Sequence, residues 1–321
     1  DSTGIVRITG GRVNFDADAT ARHVRLSGGF LGGNRTLHIT EQLVWTGGSM
    51  DGSGTTRVGT RLESTPTGSF DLSGGEKTLR DTRKLINEAF ATWTAGVIHF
   101  YSGTTPIFEN LGSFTINTDD DLVNGGNNSR GRFVNWGQVR KDAGTDVTNL
   151  DGGFDNYGSV AISVGQLTLS RGGESSGSFT VDVGATLSFA GGLVHTLLAD
   201  SSVTSAGQLL FEQPQVEVSG AINSTGTVQI AGGRVNLHAN ATMKDLRMSG
   251  GRLGGAGRLD ITQQLIWTGG TMVDSGTTHI GAIVAGEPSG TLSLSGGTKG
   301  FTGARTIINE AQGAWTAGNL D

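Results

Sequence analysis

Apolar and polar positions alternate in short runs along the whole chain, and each run closes on a pair of glycines. Leu43-Val44-Trp45-Thr46-Gly47-Gly48-Ser49-Met50 gives the pattern in full: apolar, any, apolar, any, Gly, Gly, any, apolar. It returns at Val6 to Val13, Val24 to Leu31, Phe70 to Gly75, Leu187 to Gly192, Val228 to Val235, Leu246 to Leu253, Leu265 to Met272 and Leu292 to Gly297, and with one residue inserted at Leu167 to Gly173. A period of two is that of a β-strand with one face turned inward, which sends Val24 and Leu26 to a core and Arg25 and Ser27 to solvent. Helical periodicity is hard to find, and the apolar segments are short and bounded by Gly, Asn, Asp or Thr, the residues that end strands.

The first glycines at 10, 28, 47 and 74 are 18, 19 and 27 residues apart, and those at 232, 250, 269 and 296 repeat the same three separations. Spacing near 20 residues marks a solenoid, in which one supersecondary unit stacks on the next and none buries its apolar face alone. A second period lies above the first. Residues 1–99 align without a gap on residues 223–321, at an offset that pairs Trp45 with Trp267, Trp93 with Trp315, Pro66 with Pro288, and Ser53-Gly54-Thr55-Thr56 with Ser275-Gly276-Thr277-Thr278. The reading is one continuous β-solenoid over 1–321, with a first long block at 1–222 and a partial second block at 223–321. A chain that ends inside its own repeat is expected to be a segment of a tandem array or a protomer whose open end meets another chain.

Successive coils run in the same direction, so their strands pair in parallel, and parallel crossovers are overwhelmingly right-handed. The predicted fold is all-β, a right-handed parallel β-helix with coils of roughly 20 residues. With coils ~4.8 Å apart, roughly 15 of them would extend ~70 Å. A second motif marks a corner: Phe108-Glu109-Asn110-Leu111-Gly112, Phe133-Val134-Asn135-Trp136-Gly137 and Phe154-Asp155-Asn156-Tyr157-Gly158, with looser versions at Leu85-Ile86-Asn87 and Ile307-Ile308-Asn309. Asn tolerates left-handed backbone and bonds locally at turns, and stacked coils can align its amides into a ladder. Asn87, Asn110, Asn135, Asn156 and Asn309 are read as that ladder. The section from about 97 to 165 has no second copy and departs most from the coil spacing, so Asp119 to Arg132 and Lys141 to Gly153 are read as loop excursions. The excursion from Arg57 to Gly68 accounts for the separation of 27 and recurs at His279 to Gly290.

Composition sharpens this picture in three places. The 55 glycines lie in no collagen-like triplet, so they serve turns and close approaches. Cysteine is absent, which removes disulfides, thiolate metal sites and a cysteine nucleophile. A net charge of -6 lacks the basic excess that a phosphate backbone needs, so nucleic acid is not expected as a partner. No apolar run approaches the roughly 18 residues of a membrane span. Asp1 opens inside a strand-like unit with no secretion signal, which is read as a processed leader or a piece of a longer protein.

Candidate chemistry is thin. Asp119, Asp120 and Asp121 with Asn124 could offer oxygens to calcium, yet they match neither an EF-hand loop nor a calcium nonapeptide, and a solvated loop is preferred. His23, His38, His99, His195, His238 and His279 show no metal-ligand spacing. Between the blocks His23 faces Asp245, His38 faces Asp260, His238 faces Asp16 and His279 faces Arg57, so the histidines are read as surface residues. Trp45, Trp93, Trp267 and Trp315 share the phase of Ile8 and Leu26 and are assigned to the core; Trp136 and Tyr157, beside the Asn corner, are the expected surface aromatics. Glycosidase or lyase chemistry needs carboxylates paired across coils. Glu88 and Glu310 recur, but Asp71 becomes Ser293 and Glu41 becomes Gln263, so no catalytic residue, cofactor or metal is nominated. Ranks of Thr and Ser could order water, but regular T-x-T coils are missing. Asn34, Asn127, Asn223 and Asn240 head N-glycosylation sequons.

The apolar-x-apolar-x-Gly-Gly alternation, followed by Ser-Gly-Thr-Thr in both blocks, resembles the repeats of large bacterial secreted and cell-surface β-solenoids, the autotransporter passengers and filamentous-haemagglutinin-like adhesins. The motif encodes coil geometry and no site, and the long block departs from a short passenger domain. The resemblance implies an extracellular or cell-surface location and an adhesive, spacer or filament role. The expected function is a non-enzymatic structural segment of an extracellular filament, biofilm matrix or surface adhesin, with copies of itself or adjoining repeats as end-to-end partners and surface glycans as a second partner class. The alternative is a carbohydrate-active module, lyase, glycosidase or glycan-binding stalk, working through the loops at Asp119 to Arg132 and Lys141 to Gly153.

Overall fold

The computed structural model describes residues 2–62, 65–101, 105–125, 130–213 and 215–321. The Asn127 sequon and part of the Asp119 to Arg132 excursion lie outside these residues. The chain forms two compact units, Asp1–Leu167 and Thr168–Asp321. Both are built from parallel strands stacked as a β-solenoid, about 14 turns in all and roughly 21 residues apart. Among the described residues there is no helix long and apolar enough to cross a membrane, which leaves strand-built spans unaddressed.

In the first unit three columns of strands make three faces. One column runs Val24–Leu26, Leu43–Trp45, Ser69–Leu72, Phe90–Trp93, Ser113–Ile116 and Gln138–Lys141, all parallel and in register. Leu26, Trp45, Leu72, Trp93 and Ile116 therefore stand one above another and are fully buried. A second column stacks Leu85, Phe108, Phe133 and Phe154, whose rings meet at 4.9 Å and 5.7 Å between Phe108 and Phe133 and between Phe133 and Phe154. Burial of each such side chain contributes about 2–3 kcal/mol, and the parallel register places it on the rung below. The second unit has the same three-column form, seen where Gln264–Trp267 pairs with Thr291–Leu294 and that strand with Gln312–Trp315.

The glycine pairs work as the pattern predicts. Gly48 has φ +83, and a Cβ there would come within 2.8 Å of the Gly28 carbonyl carbon on the rung beneath. Only glycine permits both the left-handed turn and that approach. The long separation of 27 is a β-hairpin standing off the stack: Thr60–Leu62 pairs antiparallel with Thr65–Thr67, and Ala282–Val284 with Glu287–Ser289. The described strands between 97 and 165, a section set apart by its spacing, stay in the stack. Leu122–Gly125 and Val147–Leu150, inside the two stretches read as loops, are strands that follow Ile98–Tyr101 in one column.

Candidate functional site

The polar side chains that alternation turns inward form the most constrained chemistry in the molecule. Asn87 Nδ2 donates to Asn110 Oδ1 at 2.7 Å, Asn110 to Asn135 at 2.8 Å and Asn135 to Asn156 at 2.8 Å. Each amide also reaches a carbonyl on the next rung, Ser113 O, Gln138 O and Ser159 O. All four asparagines are fully buried. Asn309 sits at the position equivalent to Asn87, but it is exposed and, among the described residues, its side chain bonds within its own corner, to Ala311 O and N.

Five buried cations were not legible in the sequence. Arg83 donates to Gly33 O, Asp51 O and Thr56 Oγ1, and Arg305 repeats the set on Gly255 O, Val273 O and Thr278 Oγ1. Lys77 Nζ binds Gly75 O and Ala95 O, and Lys299 Nζ binds Gly297 O and Ala317 O. Lys141 Nζ is held by Thr118 O, Ala143 O and Thr148 Oγ1, with Asp119 Oδ1 at 3.0 Å. Each head group satisfies backbone carbonyls at a corner, where successive rungs turn and their acceptors converge. Burial lowers the Lys77 ammonium to about 8, opposed by Asp120, and the Arg83 guanidinium to about 10. The identical inward lysine and arginine in both blocks were the available signal.

The remaining candidates fall into place individually. Asp120 Oδ2 accepts from Gly96 N and Thr118 Oγ1, Asp121 Oδ1 accepts from Asn149 N and Asp119 pairs with Lys141, so the acidic triplet is tied to neighbouring rungs. Among the described residues no group of three or more His, Asp or Glu could hold a metal ion. Trp45, Trp93 and Trp267 are core, as their phase requires; Trp315 instead is 58% exposed, with its indole N–H donating to Gly318 O at 2.9 Å. Trp136 and Tyr157 lie together on the surface with ring centroids 4.3 Å apart at 26°. Each ring uses one face on the other, which reduces what either offers as a sugar platform. His195 corrects the surface reading of the histidines. It is buried against the Phe189 ring edge with Nε2 3.3 Å from Ala190 O, and burial holds its imidazole down at about 4. Its strand exposes Val194 and turns His195 and Leu197 inward.

Outward carboxylates are tied across rungs. Arg57 binds Glu88 through two nitrogens at 2.7 Å and 2.8 Å; in the second unit His279 Nε2 lies 3.1 Å from Glu310. Gln42 donates to Asp71, and Glu41 pairs with Arg22 and His23. Arg12 pairs with Asp51, whereas its equivalent Arg234 pairs with Asp274, one position later. Asp274 has φ +71 where the first unit has Gly52 at +79, and aspartate is among the few residues that tolerate this backbone. The exposed sequon residues are Asn34, Asn223 and Asn240. No family model, curated protein or solved structure matches the chain.

Proposed function

We propose that this chain is a structural, non-enzymatic β-solenoid segment of an extracellular filament, matrix or surface adhesin, joined end to end with copies of itself or with adjoining repeats. One observation carries the reading: the buried polar side chains described above fasten one rung to the next. The Asn87 to Asn156 ladder, the Arg83 and Arg305 clamps and the Arg57–Glu88 pair all span rungs. Such contacts make stability a sum over neighbouring rungs, as in other repeat proteins, and suit a spacer or fibre. Incubation of the full chain with a panel of plant, bacterial and animal polysaccharides, followed by assays for new reducing ends and for unsaturated products, tests it. The expected result is no turnover; turnover abolished by substitution of a surface carboxylate would replace the structural reading with the carbohydrate-active one.

A further inference from the structure

The hairpin at Ala282–Ser289 leans over a groove of about 590 Å³ lined by Asp245, Gln263, Gln264, Pro288, Thr291 and Gln312. The register shows how its floor is made. Asp245 pairs with Gln264, Gln264 with Thr291, and Thr291 with Gln312, so the four are one outward column on four successive rungs. Rungs repeat at about 4.8 Å, close to the length of one pyranose in an extended polysaccharide. Gln264 Nε2 donates to Thr291 Oγ1 at 3.1 Å, which fixes the middle of the row. Pro288 forms a lip, and Ile283, its cross-strand partner and half exposed, shares that face of the hairpin.

The chemistry of this groove is specific. Amides and hydroxyls both donate and accept, matching sugar hydroxyls, and the apolar lip suits their C–H faces. Asp245 is the charged residue of the lining, and Lys244, outside the groove and 4.0 Å away, pairs with it, so the floor carries no positive charge to attract phosphate or acidic chains. The equivalent column of the first unit is His23, Gln42, Ser69 and Phe90, with Arg61 facing Pro66 across the hairpin. Its Glu41, bound by Arg22 and His23, stands where the second unit has Gln263. Duplication has kept the groove's frame, and the second unit has Gln312 in the column where the first has Phe90, and Ile283 opposite the hairpin proline where the first has Arg61.

The geometry points to a binding site for a linear neutral polysaccharide along the column Asp245, Gln264, Thr291 and Gln312, running across the rungs with one sugar residue per rung. The site would give the proposed matrix or adhesin segment its glycan contact, yet the two claims fail separately: binding tests the groove, and turnover tests the structural reading. Calorimetric titration of the full chain with neutral gluco-, xylo- and manno-oligosaccharides of increasing length is the experiment. Affinity for at least one series should rise with length and level off at about four residues. Gln264→Ala and Gln312→Ala should each weaken it about tenfold, with circular dichroism and melting unchanged, and Gln42→Ala in the first unit should leave it intact. Absence of binding, affinity independent of length, indifference to Gln264→Ala, or preference for acidic polysaccharides or extended peptides would each overturn the proposal.

Discussion

Asn87 and Asn309 occupy equivalent positions in the two blocks, and the structure assigns them very different energetic weights. Replacement of Asn87 by Ala removes the partner of Asn110 Oδ1, Ser113 O and Ala89 N, at a site that is fully buried. Buried groups left without a partner cost about 1–3 kcal/mol each, less where a second bond survives, so the total should be about 3–5 kcal/mol. For a unit of this size that is a fall in melting temperature of roughly 10 °C. Replacement of Asn309 removes two bonds to Ala311 at an exposed corner, where water takes over, and should cost under about 1 kcal/mol. Urea unfolding of both variants, followed by tryptophan fluorescence and checked by calorimetry, measures the difference. Costs within about 1 kcal/mol of each other would show that the amide ladder does not couple the rungs, and the reasoning would fail.

Two further predictions follow from buried titratable groups. His195 is held at about 4 against an ordinary 6.5, so the unfolded chain takes up its proton first as pH falls. Stability should therefore drop by about 3 kcal/mol between pH 6.5 and 4; His195→Leu should flatten that limb in urea titrations at stepped pH, and an unchanged acid limb would contradict the assignment. Lys77 is held at about 8 against an ordinary 10.5, which means that the unfolded state binds more protons across that window and stability rises with pH through it. Lys77→Met should remove this alkaline rise, whatever it does to stability at neutral pH, and a rise of the same slope in the variant would place the titrating group elsewhere.

The stack was legible because its signal is redundant. The period-two alternation, the glycine pairs and the repeated separations all require parallel rungs, and the asparagine corner follows once rungs are in register. Lys77, Arg83 and Lys141 were not legible for a physical reason: alternation predicts which side chains face inward, but whether a cation is tolerated there depends on carbonyls that converge only when successive rungs turn together. His195 escaped because Leu193 and Val194 beside it look more apolar yet are exposed. The spacing between Val97 and Gly165 suggested loops, whereas strands such as Val147–Leu150 remain in their column. The groove required the hairpin's fold, since nothing in the sequence places Pro288 over Gln263.

Negative-stain electron microscopy of the purified chain over a rising concentration series tests the structural account most directly. The proposed end-to-end association would bring the exposed Trp315, Ile5 and Val13 and the backbone edges of the strands that carry them against another solenoid edge. The account predicts linear particles that lengthen with concentration by end-to-end addition. Discrete particles of a single length at every concentration would contradict association between copies of this chain.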